Sequence, residues 1–579
     1  MNRACSSILV LMLMLLGTPG PLAAQRPQVP GDLGVALDAE RRGDFGAAVA
    51  AYQRALAANQ ADATALLGLE RSLEPLNRSH EMLGPAQAAV ARAPSPAAYS
   101  ALIRAWVAHR NIDSARAAVS GWSALAKGEP APYRELVHAL VRTRQRAEAK
   151  RAVEWGRAQL GNDNAMAYDM AQLRASEGDW AGATREWLAA ARELPGYRLT
   201  ALAALTPVPE RERAAVRTVL GTERTLEARE LEAGLLARWG DPDEAVKLLI
   251  AALPPDRVRA SEALRGFASG LQTRPGAARA RGAALEELAR RNSGDAAARA
   301  RVEAAQAYHQ AGDQAGARRV LAALPAGRGG AAAAASAAST LIGVLLSEGK
   351  PAEADAELDK LRDRLPADEW QALRRSVALG WARVGQLDRG EASLIGDSTV
   401  EGLAMRGRLA IFRGDLKGGV DLFRSAGPYA GSREEAAHRT ALLALVQPIA
   451  ADTLPALGAA LLALERGDSA RGAESLEQVG EALPADKGGA GVMLLAASVR
   501  GALGDSTDAE ALLRKAAASE VAATAPAAEL ELARLLLAQR RSSEAVSLLE
   551  HLILTWPQSA TVPEARRALD EAKGAVPPT

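Results

Sequence analysis

The sequence predicts an all-α protein built as an array of repeated helix pairs, and three observations carry this prediction. Hydrophobic residues make up 48% of the 579 residues but aromatic residues only 3%, so most of the apolar content is Ala and Leu, which favour helix over sheet. A short polar turn recurs along the chain. The residues after each turn place small and large apolar side chains at helical spacing. A chain of this length is expected to form a repeat array or several domains.

The recurring turn is six residues long, opens with Gly or a polar residue and closes, in most copies, with Ala or Gly. Twelve copies are recognised: GDFGAA (43–48), RNIDSA (110–115), RQRAEA (144–149), GDWAGA (178–183), GDPDEA (240–245), GDQAGA (312–317), GKPAEA (349–354), GQLDRG (385–390), GDLKGG (414–419), GDSARG (467–472), GDSTDA (504–509) and RRSSEA (540–545). With a weaker copy, NRSHEM (77–82), the first closing positions lie 34, 33, 34 and 34 residues apart, and later ones 36 or 37. Such a period is typical of helical repeats.

The residues after each turn predict a helix that packs closely on its neighbour. Ala48, Tyr52 and Ala55 are spaced i, i+4, i+7 and therefore share one helix face. The small residue lets two helix backbones approach, and the larger one fills the gap a turn later. Gly ahead of Asp ends the preceding helix with a positive φ, and the Asp caps the next one. The turn therefore separates the two helices of a pair.

The chain resembles the tetratricopeptide repeat (TPR) family. The stretch EGDWAGATREWLAAARELP (177–195) has the family's Gly-Asp-aromatic turn, its Ala, aromatic and Ala positions, and its closing Pro. The resemblance covers nearly all of 31–572 and implies a right-handed superhelical solenoid of TPR or TPR-like helix–turn–helix repeats. The steps 183→245, 245→317 and 419→472 exceed one repeat, so degenerate copies or irregular helix pairs are expected there.

The sequence predicts six segments. They are a signal peptide (1–24), a short linker (25–30), an N-terminal TPR array (31–326), a Gly/Ala joint (327–336), a C-terminal TPR array with a capping helix (337–573) and a disordered tail (574–579). The joint is predicted from GRGGAAAAAS, and the capping helix from the stretch that follows the last repeat turn. That stretch is similar to the last repeat of exported bacterial TPR proteins.

The first 24 residues predict export from a bacterial cytoplasm. Arg3 supplies a positive n-region, Ile8–Leu16 is a nine-residue apolar core, and Ala24 precedes the expected cleavage site. Nine apolar residues are too few to span a bilayer, so no stable membrane insertion is expected after cleavage. Cys5 precedes the apolar core, unlike the acylated Cys of a bacterial lipoprotein. The alternative is an uncleaved N-terminal anchor. The predicted location is periplasmic, outer-membrane-associated or extracellular.

Composition argues against several classes of function. Cleavage after Ala24 leaves 69 basic and 69 acidic residues, so nucleic acid and anionic lipid are not expected as partners. Cys5 is the only cysteine, so the mature chain is expected to lack disulfides, thiolate metal sites and a Cys nucleophile. The six His residues are dispersed without metal-ligand spacing, although a site assembled from distant His and carboxylates stays open.

Asp44-Phe45-Gly46 matches the metal-binding triplet of protein kinases, but the repeat explains it better. Only 43 residues precede Asp44, too few for the upstream kinase elements, and the triplet occupies a repeat turn. GDST at 396–399 and 504–507 is interpreted in the same way, as helix-capping residues. No catalytic, cofactor or metal site is therefore predicted, and the protein is not expected to be an enzyme.

The resemblance to TPR arrays implies that a protein or peptide binds in the concave groove lined by first helices. The transferred groove positions are Ser100, Arg104, Val107, Arg134, His138, Arg142, Tyr168 and Gln172. The predicted partner-binding residues among them are Arg104, Arg134, His138, Arg142, Tyr168 and Gln172. The three Arg residues would suit a peptide carboxylate or acidic side chains, unless they are solvated or paired within the array. The predicted function is a non-enzymatic scaffold in the bacterial cell envelope. The alternative is an accessory subunit of an outer-membrane assembly or polysaccharide-export machine.

Overall fold

The structure is a computed structural model that describes residues 31–324, 330–427 and 433–575. Within these ranges the chain forms 32 α-helices, two short 3₁₀ helices and no strand. The predicted signal peptide and linker lie outside the described residues. In this described part no helix combines the length and the apolar character that crossing a membrane requires.

The described residues divide into two compact units, which separate between Leu235 and Leu236. The helices that begin in the first unit are α1 (Gly31–Arg41), α2 (Phe45–Ala58), α3 (Ala63–Leu73), α4 (Leu83–Arg92), α5 (Pro96–Ala108), α6 (Ile112–Leu125), α7 (Ala131–Arg142), α8 (Arg146–Leu160), α9 (Ala167–Ser176), α10 (Trp180–Glu193), α11 (Tyr197–Leu205), α12 (Glu210–Thr222) and α13 (Leu226–Trp239).

The remaining helices belong to the second unit. They are α14 (Pro242–Ala252), α15 (Arg257–Leu271), α16 (Ala278–Arg291), α17 (Gly294–Gln310), α18 (Gln314–Ala322), α19 (Gly330–Ser347), α20 (Pro351–Asp359), α21 (Ala367–Arg383), α22 (Leu387–Ser393), α23 (Val400–Arg413), α24 (Leu416–Ala426), α25 (Arg433–Val446), α26 (Pro455–Glu465), α27 (Ser469–Ala482), α28 (Gly489–Ala502), α29 (Ser506–Ala517), α30 (Ala525–Ala538), α31 (Ser542–Thr555) and α32 (Val562–Ala575).

The predicted fold class is confirmed as an all-α array of TPR-like helix–turn–helix repeats. Each recognised turn joins the first helix of a pair, here called the A helix, to the second, the B helix. The A helices are α1 and every odd-numbered helix to α23, then α26, α28 and α30. Most consecutive helices pack on each other, and A helices such as α3 and α5, or α5 and α7, also pack side by side.

The backbone of the turns explains the repeat. All nine turn glycines, from Gly43 to Gly504, have a positive φ, and so does the first residue of each copy that lacks Gly: Asn77, Arg110, Arg144 and Arg540. The next residue caps the following helix in several copies. Asp44 Oδ1, for example, accepts a hydrogen bond from Ala47 N at 3.0 Å. Asp44 is therefore a helix cap in a turn.

The small residue that closes each turn is buried between helices. Ala48, Ala183 and Ala545 have no exposed surface. At Gly390 the approach is closer still, because a Cβ there would lie 2.6 Å from the carbonyl oxygen of Ala378. This is the close backbone contact that the small residue in the turn predicts.

Two of the long steps between recognised turns hold two extra helices each, without a legible turn sequence. In the second step α15 and α16 pack on each other as an ordinary pair, whereas in the first α11 and α12 both pack on α10. The third, 419→472, has a different cause. Leu454 N donates to Gly414 O at 2.7 Å, and Leu416 N donates to Asp452 O at 3.0 Å, so α26 follows α23 directly in the array. Helix α25 is an insertion between the two pairs.

The predicted joint and the division into units do not coincide. The units separate between Leu235 and Leu236, whereas the Gly/Ala segment covers 327–336. Residues 325–329 lie outside the described residues, and 330–336 form the first turns of α19. Both α17 and α18 pack on α19, so helix contacts continue across this segment within the second unit. Of the predicted tail, 574 and 575 end α32, and 576–579 are not described.

Candidate functional site on the A helices

The transferred groove positions, which include the predicted partner-binding residues, lie on three neighbouring A helices of the first unit. Ser100, Arg104 and Val107 are on α5; Arg134, His138 and Arg142 are on α7; Tyr168 and Gln172 are on α9. Of these, Val107 is buried with 1% exposure and belongs to the core of the unit. The other seven fall into separate groups with different contacts.

Arg104 bridges three A helices and is mostly buried, with 14% of its side chain exposed. Its Nε lies 2.5 Å from Glu70 Oε1 on α3, and its Nη1 lies 2.7 Å from Glu135 Oε1 on α7. Nη1 also donates to Ser100 Oγ at 2.8 Å. Burial lowers the pKa of Arg104, but the two carboxylates raise it by more, so the net shift is upward. Its guanidinium therefore holds adjacent repeats together.

Arg134 and His138 converge on one buried carboxylate. Asp169 on α9 is 5% exposed, and its two oxygens lie 3.2 Å from Arg134 Nε and 2.9 Å from His138 Nε2. A buried carboxylate requires such partners, because an unpaired charge away from water is costly. The hydrogen bond to Asp169 raises the pKa of His138 against the smaller opposing effect of burial. This cluster also joins neighbouring repeats.

On α9 the half-buried Tyr168 lies beside the exposed Gln172. Gln172 Nε2 donates to Tyr168 Oη at 2.6 Å. The Tyr168 ring stacks on Tyr197 with a centroid separation of 5.1 Å and meets the edge of Trp187 at 5.4 Å. Arg142 is exposed and, within the described part of the chain, forms no ion pair. Arg104 and Arg134 thus form ion pairs with acidic residues, whereas Arg142 takes part in neither group.

The acidic partners Glu70, Glu135 and Asp169 were not among the predicted residues. Each bridge joins residues that are 31 to 35 positions apart, which is close to one repeat. A search for Arg and acidic residues separated by one repeat length would have found them.

A cavity of about 740 Å³ lies on the A helices of the second unit. It is called the α19 cavity. One complete face of α19 lines it with small side chains: Ala332, Ala335, Ser336, Ser339, Thr340 and Gly343. Because these residues are small, the surface between α17 and α21 stays open instead of being filled by packed side chains.

Polar groups surround the α19 cavity. Gln306 Nε2 on α17 donates to Ser336 Oγ at 3.2 Å, and His309 Nδ1 lies 2.8 Å from Gln314 Oε1. A Cβ at Gly343 would lie 3.0 Å from His309 Nε2, so this Gly makes room for the imidazole. Arg364 and Glu369 on the opposite wall are exposed and form no ion pair among the described residues. The cavity therefore offers amide, hydroxyl and charged groups to a bound chain.

A second cavity of about 600 Å³ lies along the same row of A helices. It is called the α25 cavity, because the inserted helix α25 forms one wall and α21 and α23 form the others. Its apolar lining includes Leu379, Met405 and Phe423, and its charged lining includes Arg375 and Arg408. Helix α21 contributes to both cavities, so they are adjacent on the surface of the second unit.

Among the residues that the structure describes, no group of three or more His, Cys, Asp or Glu side chains is arranged to hold a metal ion. The GDST sequences act as helix caps. Thr399 Oγ1 accepts from Gly402 N at 3.0 Å, and Asp505 caps α29.

Comparison with known proteins gives structural similarity only. No family model matches the chain, and no curated protein is significantly similar to it. Solved structures that match include the APC/C hetero-tetramer Cut9–Hcn1, with 11% identity over 94% of this chain and 96% of that one and a TM-score of 0.23. Another is Naa15/Naa10 bound to HypK-THB, with 12% identity over 94% and 97% and a TM-score of 0.24. The description of the fold therefore rests on the chain's own helices and turns.

Proposed function

We propose that the chain is a protein-interaction scaffold that binds a segment of a partner protein on the A helices of its second unit. The α19 cavity is the observation that carries this proposal. Repeat arrays bind partners on extended surfaces built from several repeats, and this cavity spans three consecutive A helices. Its small residues leave space for a backbone, and Gln310, Arg364 and Glu369 supply polar groups at its rim.

An extended peptide suits this surface better than a small molecule. The cavity is open to solvent along the row of helices, and its polar groups are spread over α17, α19 and α21. Main-chain amides of a peptide would pair with Gln and Ser side chains, while its side chains would occupy the space left by the small residues of α19.

The first unit supplies a second candidate surface for the same partner. Arg142, Tyr168 and Gln172 are accessible, whereas Arg104 and Arg134 already use hydrogen-bond donors on acidic residues. Substituting Arg134 and Arg142 by Ala tests this surface. Unchanged partner capture by that double variant would remove it from the proposal.

We also propose that the protein acts in a bacterial cell envelope. The features that support this are the n-region Arg3, the apolar core Ile8–Leu16 and the absence of cysteine after Cys5.

Site-specific photo-crosslinking in cells of the native host tests the scaffold proposal. A photoreactive residue is placed at Ser339 or Gln310 in the α19 cavity, and at the exposed Glu474 on the B helix α27 as a control. We expect the two cavity positions to capture one and the same protein, and Glu474 to capture none of it. Substitution of Ser336 by Trp fills the cavity and should abolish capture from Gln310. Capture of the same partner from Glu474 alone would contradict the proposal.

A further inference from the structure

Helix α25 is buried against the rest of the second unit only in its C-terminal half. Only Leu442 and Val446 of its fourteen residues are buried, and both lie in its C-terminal half. Ile449, just after the helix, is 7% exposed and adds to this anchor. In the N-terminal half, Glu434, Glu435 and His438 are exposed, although all three line the α25 cavity. The helix is thus anchored at one end and lies over an incompletely filled space at the other.

The repeat array does not need α25 for its continuity. The backbone hydrogen bond from Leu454 N to Gly414 O joins the pairs before and after it. A Cβ at Gly458 on α26 would lie 2.6 Å from Gly414 N, which shows how closely α26 packs on the end of α23. Glu465 on α26 then pairs with Arg383 on α21 and Arg408 on α23. Helix α25 therefore covers a surface whose own framework is complete.

The surface beneath α25 carries the charged side chains of Arg375, Arg408 and Glu401. Arg408 is 20% exposed, and its Nε is buried with no hydrogen-bond acceptor among the described residues. Arg375 is 16% exposed and pairs with the fully buried Asp397 at 3.0 Å. The unpaired Arg408 Nε thus favours a hydrogen-bond acceptor such as a carboxylate on the segment that covers this surface.

Helix α25 matches this surface in charge and in apolar pattern. Its first turn carries Glu434 and Glu435, and the negative charge of Glu435 acts on Arg408. Leu442 and Val446 follow Glu435 at i+7 and i+11, so they share its helix face, and both enter the core. Acidic residues at a helix N-terminus are also favourable for the helix itself. Helix α25 occupies the surface as an amphipathic ligand helix would occupy a groove.

We propose that the A-helix surface of α21 and α23 is a docking site for an amphipathic partner helix with acidic residues in its first turn, and that α25 is its internal occupant. This rests on the proposed scaffold function and names the chemistry of one partner segment. The partner helix displaces α25 from the site, so binding is weakened by the fraction of molecules in which α25 is docked.

The test uses the full chain and a labelled synthetic peptide with the sequence of residues 433–449, measured by fluorescence anisotropy. In the double variant E434K/E435K the internal helix loses the attraction between Glu435 and Arg408. We expect this variant to bind the peptide about tenfold or more tightly than the unsubstituted chain. The variant E262K/E571K is the matched control, because it changes the same charge at exposed positions outside the cavity. It should bind the peptide as weakly as the unsubstituted chain.

A peptide in which both acidic residues are replaced by Lys should not bind any of the chains. Leu442→Ala, which removes an apolar anchor of α25, should raise affinity in the same direction as E434K/E435K. If Leu442→Ala does not fold, E434K/E435K still tests the inference, because its two substitutions lie at exposed positions.

Equal peptide binding by E434K/E435K and the control variant, with unchanged helical circular dichroism, would overturn the inference. So would dimerisation of E434K/E435K in light scattering, since a second copy of the chain would then be the occupant. Failure here is distinct from failure of the scaffold function, because photo-crosslinking at Ser339 tests the α19 cavity and does not depend on displacement of α25.

Discussion

At the scale of single residues, the first position of each recognised turn must adopt a positive φ. Gly occupies this position in most copies, and Asn or Arg in the others. Gly178 has φ +81°, and no atom lies within 4 Å of where its Cβ would be. A substitution to Ala there tests the backbone alone, without a steric clash. The left-handed conformation costs a non-glycine residue about 1–2 kcal/mol.

We therefore expect Gly178→Ala to lower the free energy of unfolding by about 1 kcal/mol, because Ala must adopt the same positive φ. Urea unfolding followed by circular dichroism measures this. Gly84→Ala is the control, since Gly84 also has open space around its Cβ but does not have a positive φ. Equal losses in the two variants would show that the turn conformation is not the cause.

A second residue-scale prediction concerns pH and the pair formed by His138 and Asp169. The hydrogen bond to Asp169 raises the pKa of His138, while burial and Arg134 oppose the shift. A raised folded-state pKa contributes stability that is full below the unfolded pKa of about 6.5 and is lost as the pH rises through the folded pKa. The stability difference between the unsubstituted chain and His138→Gln should therefore be larger at pH 5.5 than at pH 8.5. A difference that does not change with pH would contradict this.

Sequence reasoning succeeds at positions whose role is local. Asp44 was predicted to cap a helix, and its carboxylate does so three residues along the chain. The role of Arg104 was not predictable in the same way, because its partners Glu70 and Glu135 lie on other repeats. Only the packing of adjacent A helices brings these groups within hydrogen-bond distance.

At the scale of helices, neighbouring A helices in the first unit are joined by charged side chains as well as by apolar packing. Arg104 is mostly buried between two carboxylates. Removing one member of a mostly buried ion pair leaves charges without compensation. The connection between α3, α5 and α7 should therefore depend on this single guanidinium.

We expect Arg104→Ala to destabilise the chain by about 2–3 kcal/mol, because Glu70 and Glu135 lose their shared partner. Arg151→Ala is the control: it breaks an exposed pair with Glu148 within α8 and should cost less than about 0.5 kcal/mol. Thermal unfolding of both variants measures the difference. A similar small effect for the two would show that the bridge across the A helices contributes little.

The sequence predicted the helices less well in the three long steps between recognised turns (183→245, 245→317 and 419→472) than in the regular repeats. No Gly-Asp turn separates α11 from α12 or α15 from α16, so these helices were expected only as degenerate or irregular copies. The inserted helix α25 was not foreseen. Its apolar residues at helical spacing are typical of an ordinary repeat helix, and only the direct contact of α23 with α26 identifies it as an insertion.

At the scale of the whole molecule, the predicted export signal can be tested without a partner. We expect the protein isolated from its host to begin at Gln25, because cleavage follows Ala24. N-terminal sequencing of the protein from a fractionated envelope and from the cytoplasm measures this. A chain that retains residues 1–24 in the envelope would indicate an uncleaved anchor, and one confined to the cytoplasm would contradict export.

The direct packing of α26 on α23, with α25 inserted between them in the sequence, also affects how the second unit folds. Most contacts in the array join neighbouring helices, and a chain with such local contacts can fold progressively from repeat to repeat. The ion pair between Arg383 and Glu465 is different, since it joins residues 82 positions apart. The chain must close a loop containing α25 before α26 can dock, and that closure costs entropy before any contact compensates for it. We expect pulsed hydrogen exchange during refolding to show α26 protected later than α28, which makes the insertion a kinetic boundary within one array.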